Sequence, residues 1–193
     1  MKGKIWLNML FILILGALSG LLLSGVESFT RDRIKQHQDR RRKAAVLEAA
    51  GINYEEDKLD EVFEANIRVM RKAGFEYYLS PNGLYIFEFK GRGLWGMIEG
   101  VIALNPDLET LENIRIVSQE ETPGLGGRIS EEWFLNKFKK KRVSPKLRLV
   151  LRRKATGPNE IDAITGATMT SQALIDMINE SVANFREILG RER

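Results

Sequence analysis

The sequence predicts an α+β domain carried on a single N-terminal transmembrane helix, and three observations carry that prediction. An uncharged apolar run opens the chain, short strand-like runs between Pro, Gly and Asn turns fill its middle, and an amphipathic helix ends it. The sheet is expected to be antiparallel or mixed, with flanking helices. The expected division is an anchor over 1–26, a juxtamembrane helical stalk over 27–58 and one folded domain over 59–193.

The anchor comes first. The 22 residues Ile5–Val26 hold no charge, and only Asn8, Ser19 and Ser24 are polar. At about 1.5 Å per residue, such a helix crosses a hydrocarbon core of roughly 30 Å. Its exit, Leu23-Ser24-Gly25-Val26-Glu27, is a poor signal-peptidase site, so the run reads as an uncleaved anchor. Gly16, Gly20 and Ser24 share one face: either a ridge that admits a second helix closely, or the small residues ordinary to membrane helices. Residues 1–43 carry nine basic and three acidic side chains, against 21 and 23 in the rest. The net charge of +4 therefore belongs to the N-terminal arm. Arg31, Arg33, Lys35 and Arg40–Lys43 favour a cytoplasmic C-terminal side under the positive-inside rule, although long domains translocate largely regardless of charge.

The remaining elements follow in order. Phe29–Ala50 reads as a polar helix stopped by Gly51, and Lys58–Lys72 as a second helix closed by Gly74. Phe75–Leu79, Leu84–Phe89, Met97–Leu104 and Asn113–Ser118 read as strands, punctuated by Pro-Asn-Gly, Gly-Arg-Gly and Asn-Pro-Asp. Ser130 is a candidate N-cap for an aromatic helix with an acidic first turn, and Lys146–Arg152 is a candidate strand. In the last helix Leu174, Met177, Ile178, Val182, Phe185, Ile188 and Leu189 share a face, and Gly190 ends it.

Composition removes several chemistries. With no cysteine there are no disulfides, thiolate metal sites, iron–sulfur clusters or Cys nucleophile. The lone histidine, His37, leaves the folded part without a His-based metal site or a Ser-His-Asp triad. Redox chemistry would have to come from a bound organic cofactor. Lys137–Lys154 holds ten basic residues and no acidic one. It reads as a solvated face, with contact to anionic lipid or an acidic partner as the functional alternative. Nucleic acid is not expected as a partner: the excess charge lies in the arm, and no aromatic interleaves the basic run over 139–154.

Three motifs remain. Asp162-Ala-Ile-Thr165-Gly166-Ala167-Thr168-Met-Thr170-Ser171 precedes the last helix; its hydroxyls either cap free amides or, with the helix dipole, hold a phosphate. Glu121-Thr122-Pro123-Gly124-Leu125-Gly126-Gly127 is either a plain turn or a loop whose backbone approaches a planar ligand. It lacks the Lys-Ser/Thr ending of a nucleotide P-loop. Gly91-Arg92-Gly93-Leu94-Trp95-Gly96 reads as a hairpin with a bulge, and its Trp95 either fills core or stacks on a ligand.

The order of anchor, Gly-x-Gly-Leu-Trp-Gly, Glu-Thr-Pro-Gly-Leu-Gly and Asp-x-Ile-Thr-Gly-Ala-Thr-x-Thr-Ser resembles the membrane-anchored FMN-binding subunits of ion-pumping redox complexes. It is most similar to the G subunits of Rnf electron-transport complexes and next to the C subunits of sodium-translocating NADH:quinone reductases, for which this chain is compact. The resemblance implies FMN joined through its phosphate to Thr168. Thr165, Gly166, Ala167, Thr170 and Ser171 would surround the phosphate, and Glu121, Thr122, Gly124, Leu125 and Trp95 would lie near the isoalloxazine. A Thr hydroxyl without a neighbouring base is a weak nucleophile. The resemblance accordingly implies a flavin transferase that loads the chain, with Asp162 as part of what it reads. It also implies a single-pass protein of the cytoplasmic membrane with its FMN domain on the extracytoplasmic side, against the local charge count. The chain would relay single electrons between neighbouring subunits of a ferredoxin–NAD type complex. A component of a quinone reductase, or a membrane FMN module for sensing or assembly, stays open as the alternative.

Overall fold

The structure is a computed structural model and describes residues 2–190. The chain divides into two compact units, Met1–Arg40 and Arg41–Arg193.

The first unit is helical, the N-terminal part of α1 (Lys2–Ala49). From Ile5 to Val26 its side chains are exposed, and the helix is long and apolar enough to cross a membrane. Exposed Leu, Ile and Phe on every face suit lipid and do not suit water.

The second unit begins with the last residues of α1. Ala45, Val46, Leu47, Ala49 and Ala50 are buried, so the stalk expected over 27–58 gives its second half to the folded unit. The helix stops where expected. Gly51 takes φ 72°, the Ile52 amide donates to the Leu47 carbonyl at 2.9 Å and the Gly51 amide to the Glu48 carbonyl at 3.1 Å. That pairing satisfies two orphan carbonyls of the last turn, and a left-handed residue makes it possible.

The second expected helix is shorter than predicted. After a 3-10 turn at Glu56–Lys58, α2 covers Leu59–Asn66 and closes with the Ile67 amide on the Phe63 carbonyl. Arg68–Lys72 is instead strand β1, paired antiparallel with β2 (Phe75–Leu79). Ala73 and Gly74 both have positive φ, 50° and 79°. Two consecutive left-handed residues form the turn whose twist matches a hairpin, so Gly74 turns a hairpin and does not close a helix.

β3 (Tyr85–Arg92), β4 (Met97–Leu104) and β5 (Leu111–Gln119) complete a five-stranded antiparallel meander in the order β1-β2-β3-β4-β5. The β3–β4 register runs unbroken from Tyr85↔Leu104 to Arg92↔Met97. The bulge expected near that hairpin lies in the next pairing, between Glu99/Gly100 of β4 and β5. Gly100 sits there with Phe89 and the Arg115 carbonyl where a Cβ would go, so the local kink answers a close approach of backbone.

Alternation of side chains gives the sheet two cores. Phe87, Phe89, Ile98, Ile102 and Ile114 point to one face, where they meet Ile129, Phe134, Phe138 and the terminal helix. Ile86, Val101 and Ala103 point to the other, where they meet α2 and the end of α1. The terminal helix, α4 (Thr168–Gly190), packs across β3. Phe185 stacks on Phe87 with ring centroids 4.2 Å apart, and Gly91 brings β3 up to the Met177 side chain. Gly190 is the last helical residue described.

Two expectations contract. The helix predicted at Ser130 is only α3 (Glu132–Leu135), flanked by 3-10 turns at Gly126–Ser130 and Asn136–Phe138. Glu131, not Ser130, occupies its N-cap position, and without a side-chain cap. The segment must bury Ile129, Phe134, Leu135 and Phe138 while turning tightly, which favours short pieces over one regular helix. The strand predicted over Lys146–Arg152 is only β6 (Arg148–Val150), which pairs in parallel with β7 (Glu160–Asp162), a strand the hydropathy pattern did not mark.

Candidate functional site

The three glycine-rich motifs, far apart in sequence, converge on one buried carboxylate. Glu121 lies just beyond β5 and is only 5% exposed. Its Oε1 accepts the Trp95 amide at 2.9 Å and the Gly96 amide at 3.4 Å, both from the tip of the β3–β4 hairpin. Its Oε2 accepts the Thr170 hydroxyl, from the first turn of α4, at 2.7 Å. Burial alone would raise the Glu121 pKa; the Trp95 amide, the Thr170 hydroxyl and the Gly96 and Leu94 amides outweigh it and hold the carboxyl below its usual range. The group is therefore ionised at neutral pH and fully engaged within the protein.

Two glycines make room for it. A Cβ on Gly93 would lie 2.3 Å from Glu121 Oε1, and one on Gly126 would lie 2.6 Å from Oε2 and 2.8 Å from the Thr170 hydroxyl. Either distance is a steric overlap, so the glycine spacing of these motifs follows from close packing around a charge. The Glu121 amide is itself held by Gln119 Oε1 at 2.7 Å.

Above this frame the loop turns back. The Leu125 and Gly127 amides donate to the Thr122 carbonyl at 3.2 and 3.0 Å, and Gly124 takes φ 74°. Thr122, Gly124 and Leu125 are exposed, and Leu125 covers Gly166, whose own φ is 81°. Together with Trp95, 70% exposed, and Met169, 64% exposed, Leu125 leaves apolar surface open around the start of α4.

The Thr165–Ser171 box divides into two sets. Thr165, Gly166 and Thr168 are exposed; Ala167, Thr170 and Ser171 are buried. The Ser171 hydroxyl donates to the Ala167 carbonyl at 2.9 Å and accepts the Ile164 amide at 3.2 Å, which stitches the turn to the helix. The donors of Thr170 and Ser171, expected to face a phosphate, are thus turned inward. Ala167 stands at the N-cap position, its carbonyl taking the Ser171 amide at 2.9 Å. Among the described residues, no side-chain oxygen caps the amides of Thr168, Met169 and Thr170. A 23-residue helix here presents its positive end and an exposed Thr hydroxyl to the surface.

Asp162 sits in β7 and faces neither Glu121 nor its partners. Its Oδ1 accepts the Ala155 amide at 2.6 Å and its Oδ2 pairs with Lys137 at 3.4 Å. The Ala155 amide foremost, and then Lys137, keeps its carboxyl below the ordinary range. Lys137 and Arg128 lie over the Trp133 ring at 5.1 and 5.0 Å. No cluster of His, Asp and Glu that could hold a metal occurs among the described residues.

Residues 93–183, the stretch that runs from the hairpin tip into α4, match the family of FMN-binding domains. Just under half of the chain is thus similar to FMN-binding domains. Among curated proteins, the G subunit of the proton-translocating ferredoxin:NAD(+) oxidoreductase complex of Clostridium ljungdahlii is 33% identical over 60% of this chain and 62% of its own length. The C subunit of the Na(+)-translocating NADH-quinone reductase of Neisseria meningitidis is 36% identical over 48% of this chain and 38% of its own length. The chain thus spans under two thirds of either relative. The crystal structure of the quinone-reductase C subunit from Parabacteroides distasonis superposes with a TM-score of 0.70, at 23% identity, over 84% of this chain and 98% of that one. That likeness concerns the fold, and it agrees with the α+β class predicted. The chain thus joins a helix long and apolar enough to cross a membrane to a stretch similar to FMN-binding domains, and the two relatives are named as subunits of larger redox assemblies.

What the sequence reading missed is the inward role of Glu121 and the part of Gln119, Gly93 and Gly126 in shaping its pocket. The available signal was an acidic residue at the head of a glycine-rich loop, with no cation among Thr122–Gly127 to pair it.

Proposed function

We propose that the chain is an electron-carrier subunit of a membrane ion-translocating redox complex, with FMN joined through its phosphate to Thr168. The observation that carries this is the exposed Thr168 hydroxyl at the uncapped start of a long helix, inside the stretch matched by the FMN-binding family. The positive end of α4 and its open amides suit a phosphodiester, and Gly166, which has no side chain, leaves space beside it. Trp95, Leu125 and Met169 offer apolar surface of the kind that an isoalloxazine would cover. Exposed Thr165 is the further hydroxyl in reach of such a phosphate, whereas Thr170 and Ser171 serve from below by fixing the turn.

When bound, FMN supplies the one-electron chemistry that no side chain of this cysteine-free sequence supplies. The protein's part would be to hold the phosphate at the start of α4 and to offer the ring the apolar surface of Trp95, Leu125 and Met169. With no base beside it, Thr168 requires a flavin transferase, and the partners are neighbouring membrane subunits. The relative from the ferredoxin:NAD(+) complex is matched over 62% of its own length, against 38% and 53% for two quinone-reductase C subunits, which favours the ferredoxin–NAD type. The folded unit lies on the extracytoplasmic side in this reading.

Co-expression of the full chain with a flavin transferase, followed by fluorescence of the denatured protein band, tests the attachment. The wild-type band is expected to fluoresce and Thr168→Ala to be dark. Fluorescence retained in the variant moves the attachment elsewhere, and a dark wild type removes it. Proteolysis of oriented vesicles tests the side: cleavage only from the extracytoplasmic face agrees, and cleavage only from the cytoplasmic face reverses the placement.

A further inference from the structure

We propose that Glu121 is a positioning residue. Its carboxylate ties the Leu94–Gly96 hairpin tip, the Thr122–Gly127 loop and the first turn of α4 into one frame that presents Thr168, and it does so without touching the flavin. The inference deepens the reading of Thr168 as the attachment site and rests on it.

Both oxygens are already committed. Oε1 accepts two amides of the hairpin tip, and Oε2 accepts the hydroxyl two residues after Thr168. Its side chain is walled by Gly93 on one side and Gly126 on the other, each too close for a Cβ. A carboxylate so enclosed cannot swing outward to a ring edge without breaking three hydrogen bonds, and charge-assisted hydrogen bonds are the strong kind. Thr170 faces the core at 1% exposure, so its bond to Glu121 fixes the rotation of the first turn of α4. That rotation decides which way Thr168 points, because positions two apart on a helix face nearly opposite sides. The same carboxylate fixes Trp95 and holds the loop bearing Leu125 against Gly166. One charged group thereby sets both the threonine and the apolar wall beside it.

Substitution separates geometry from charge. In Glu121→Gln the amide oxygen can still accept from Trp95, and the NH2 can donate to the Thr170 oxygen, so the frame stays closed while its charge is lost. In Glu121→Ala the frame has no centre, and in Thr170→Val only the link to α4 is lost. The experiment uses the full chain in detergent, measuring amide hydrogen exchange without flavin and the initial rate of flavinylation by a flavin transferase. For Glu121→Ala, exchange at Trp95 and Gly96 is expected to quicken about ten-fold or more while amides within β4 stay protected. Flavinylation of Glu121→Ala and of Thr170→Val is expected to slow about ten-fold, and the double variant to be no slower than the worse single, as one shared contact requires. Glu121→Gln is expected within about two-fold of wild type. The proposal is overturned by wild-type loading of Glu121→Ala, by multiplicative losses in the double variant, or by Glu121→Gln failing to the same extent as Ala. If Glu121→Ala does not fold, Thr170→Val and Glu121→Gln decide the matter between them: slow loading of the first with normal loading of the second supports the frame, and any other pairing overturns it. A wild type that takes no flavin would sink the attachment reading, while the exchange rates of the flavin-free chain would still test the frame.

Discussion

Glu160, in β7, shows how much electrostatic work a single side chain does. Arg153 binds it through two nitrogens at 2.5 and 2.8 Å, and the Gly157 and Thr156 amides add 3.1 and 3.2 Å bonds. Arg153 first, and then these amides, lower its pKa to about 2. A carboxylate with a depressed folded-state pKa adds stability that is fully present above its unfolded value. That stability is lost as pH falls through the folded one. The contribution of Glu160 should therefore be intact above about pH 4.5 and fade toward pH 2. Glu121 and Asp162 are lowered as well, so acid unfolding should steepen in the same direction. A carboxyl NMR titration of the folded unit checks this: Glu160 should titrate near the acid limit and Arg153→Gln should move it back up. Motif glycines belong to the same scale. Gly126→Ala is expected to lower the midpoint of thermal unfolding and to deprotect the Trp95 amide, because its Cβ would overlap both Glu121 and Thr170.

At the scale of elements, α4 carries both the core and the site. Its inward stripe of Leu174, Ile175, Ile178, Val182 and Phe185 is buried against the sheet. Phe185 touches an aromatic group of Phe75, Tyr77, Tyr85 and Phe87. Truncating a buried aromatic of this kind costs about 3–5 kcal/mol, and denaturant titration of Phe185→Ala should read a loss of that order. Thr168 lies a long way up the same helix, so the position of the site is fixed by packing that it does not itself make. The periodicity of this helix was legible because one apolar stripe met solvent on the other side. The β1–β2 hairpin was not: Arg68–Lys72 is exposed along most of its length and lacks alternation, so only the two left-handed residues at its turn reveal it. The 126–138 segment failed for the opposite reason. Its aromatics are all near one another in sequence and imitate a helix, yet they are buried by a chain that turns at short intervals.

At the scale of the whole molecule, the two units answer to different solvents. The first is apolar on all faces over Ile5–Val26, and the second has two cores enclosed by one sheet. A chain lacking residues 1–40 is therefore expected to be soluble without detergent and, under the proposed attachment, to load FMN from a flavin transferase to the same extent as the full chain. Gel filtration and band fluorescence check the two halves of that statement. The basic run over 137–154 is partly neutralised in the fold, since Lys137, Arg142 and Arg153 pair with Asp162, Glu109 and Glu160. These pairs tie β7 to the 136–138 turn and to the loop after β6, and Arg142 to the β4–β5 connection, which accounts for some of the charge without an outside partner.

The sequence by itself determined the long apolar helix, four of the five strand runs of the meander, the terminal amphipathic helix and the motifs inside the stretch similar to FMN-binding domains. Each of these is written locally, in hydropathy period or in turn residues a few positions apart. Only the tertiary structure decided that Glu121 faces inward, that Thr170 and Ser171 brace the box while Thr165 and Thr168 stay exposed, and that Gly93 and Gly126 flank the same carboxylate. The physical reason is that a hydroxyl or a carboxylate has the same identity whether it binds a ligand or a neighbouring amide. Which of the two it meets depends on the direction of its side chain, and packing across some 75 residues of intervening chain, from Trp95 to Thr170, sets that direction.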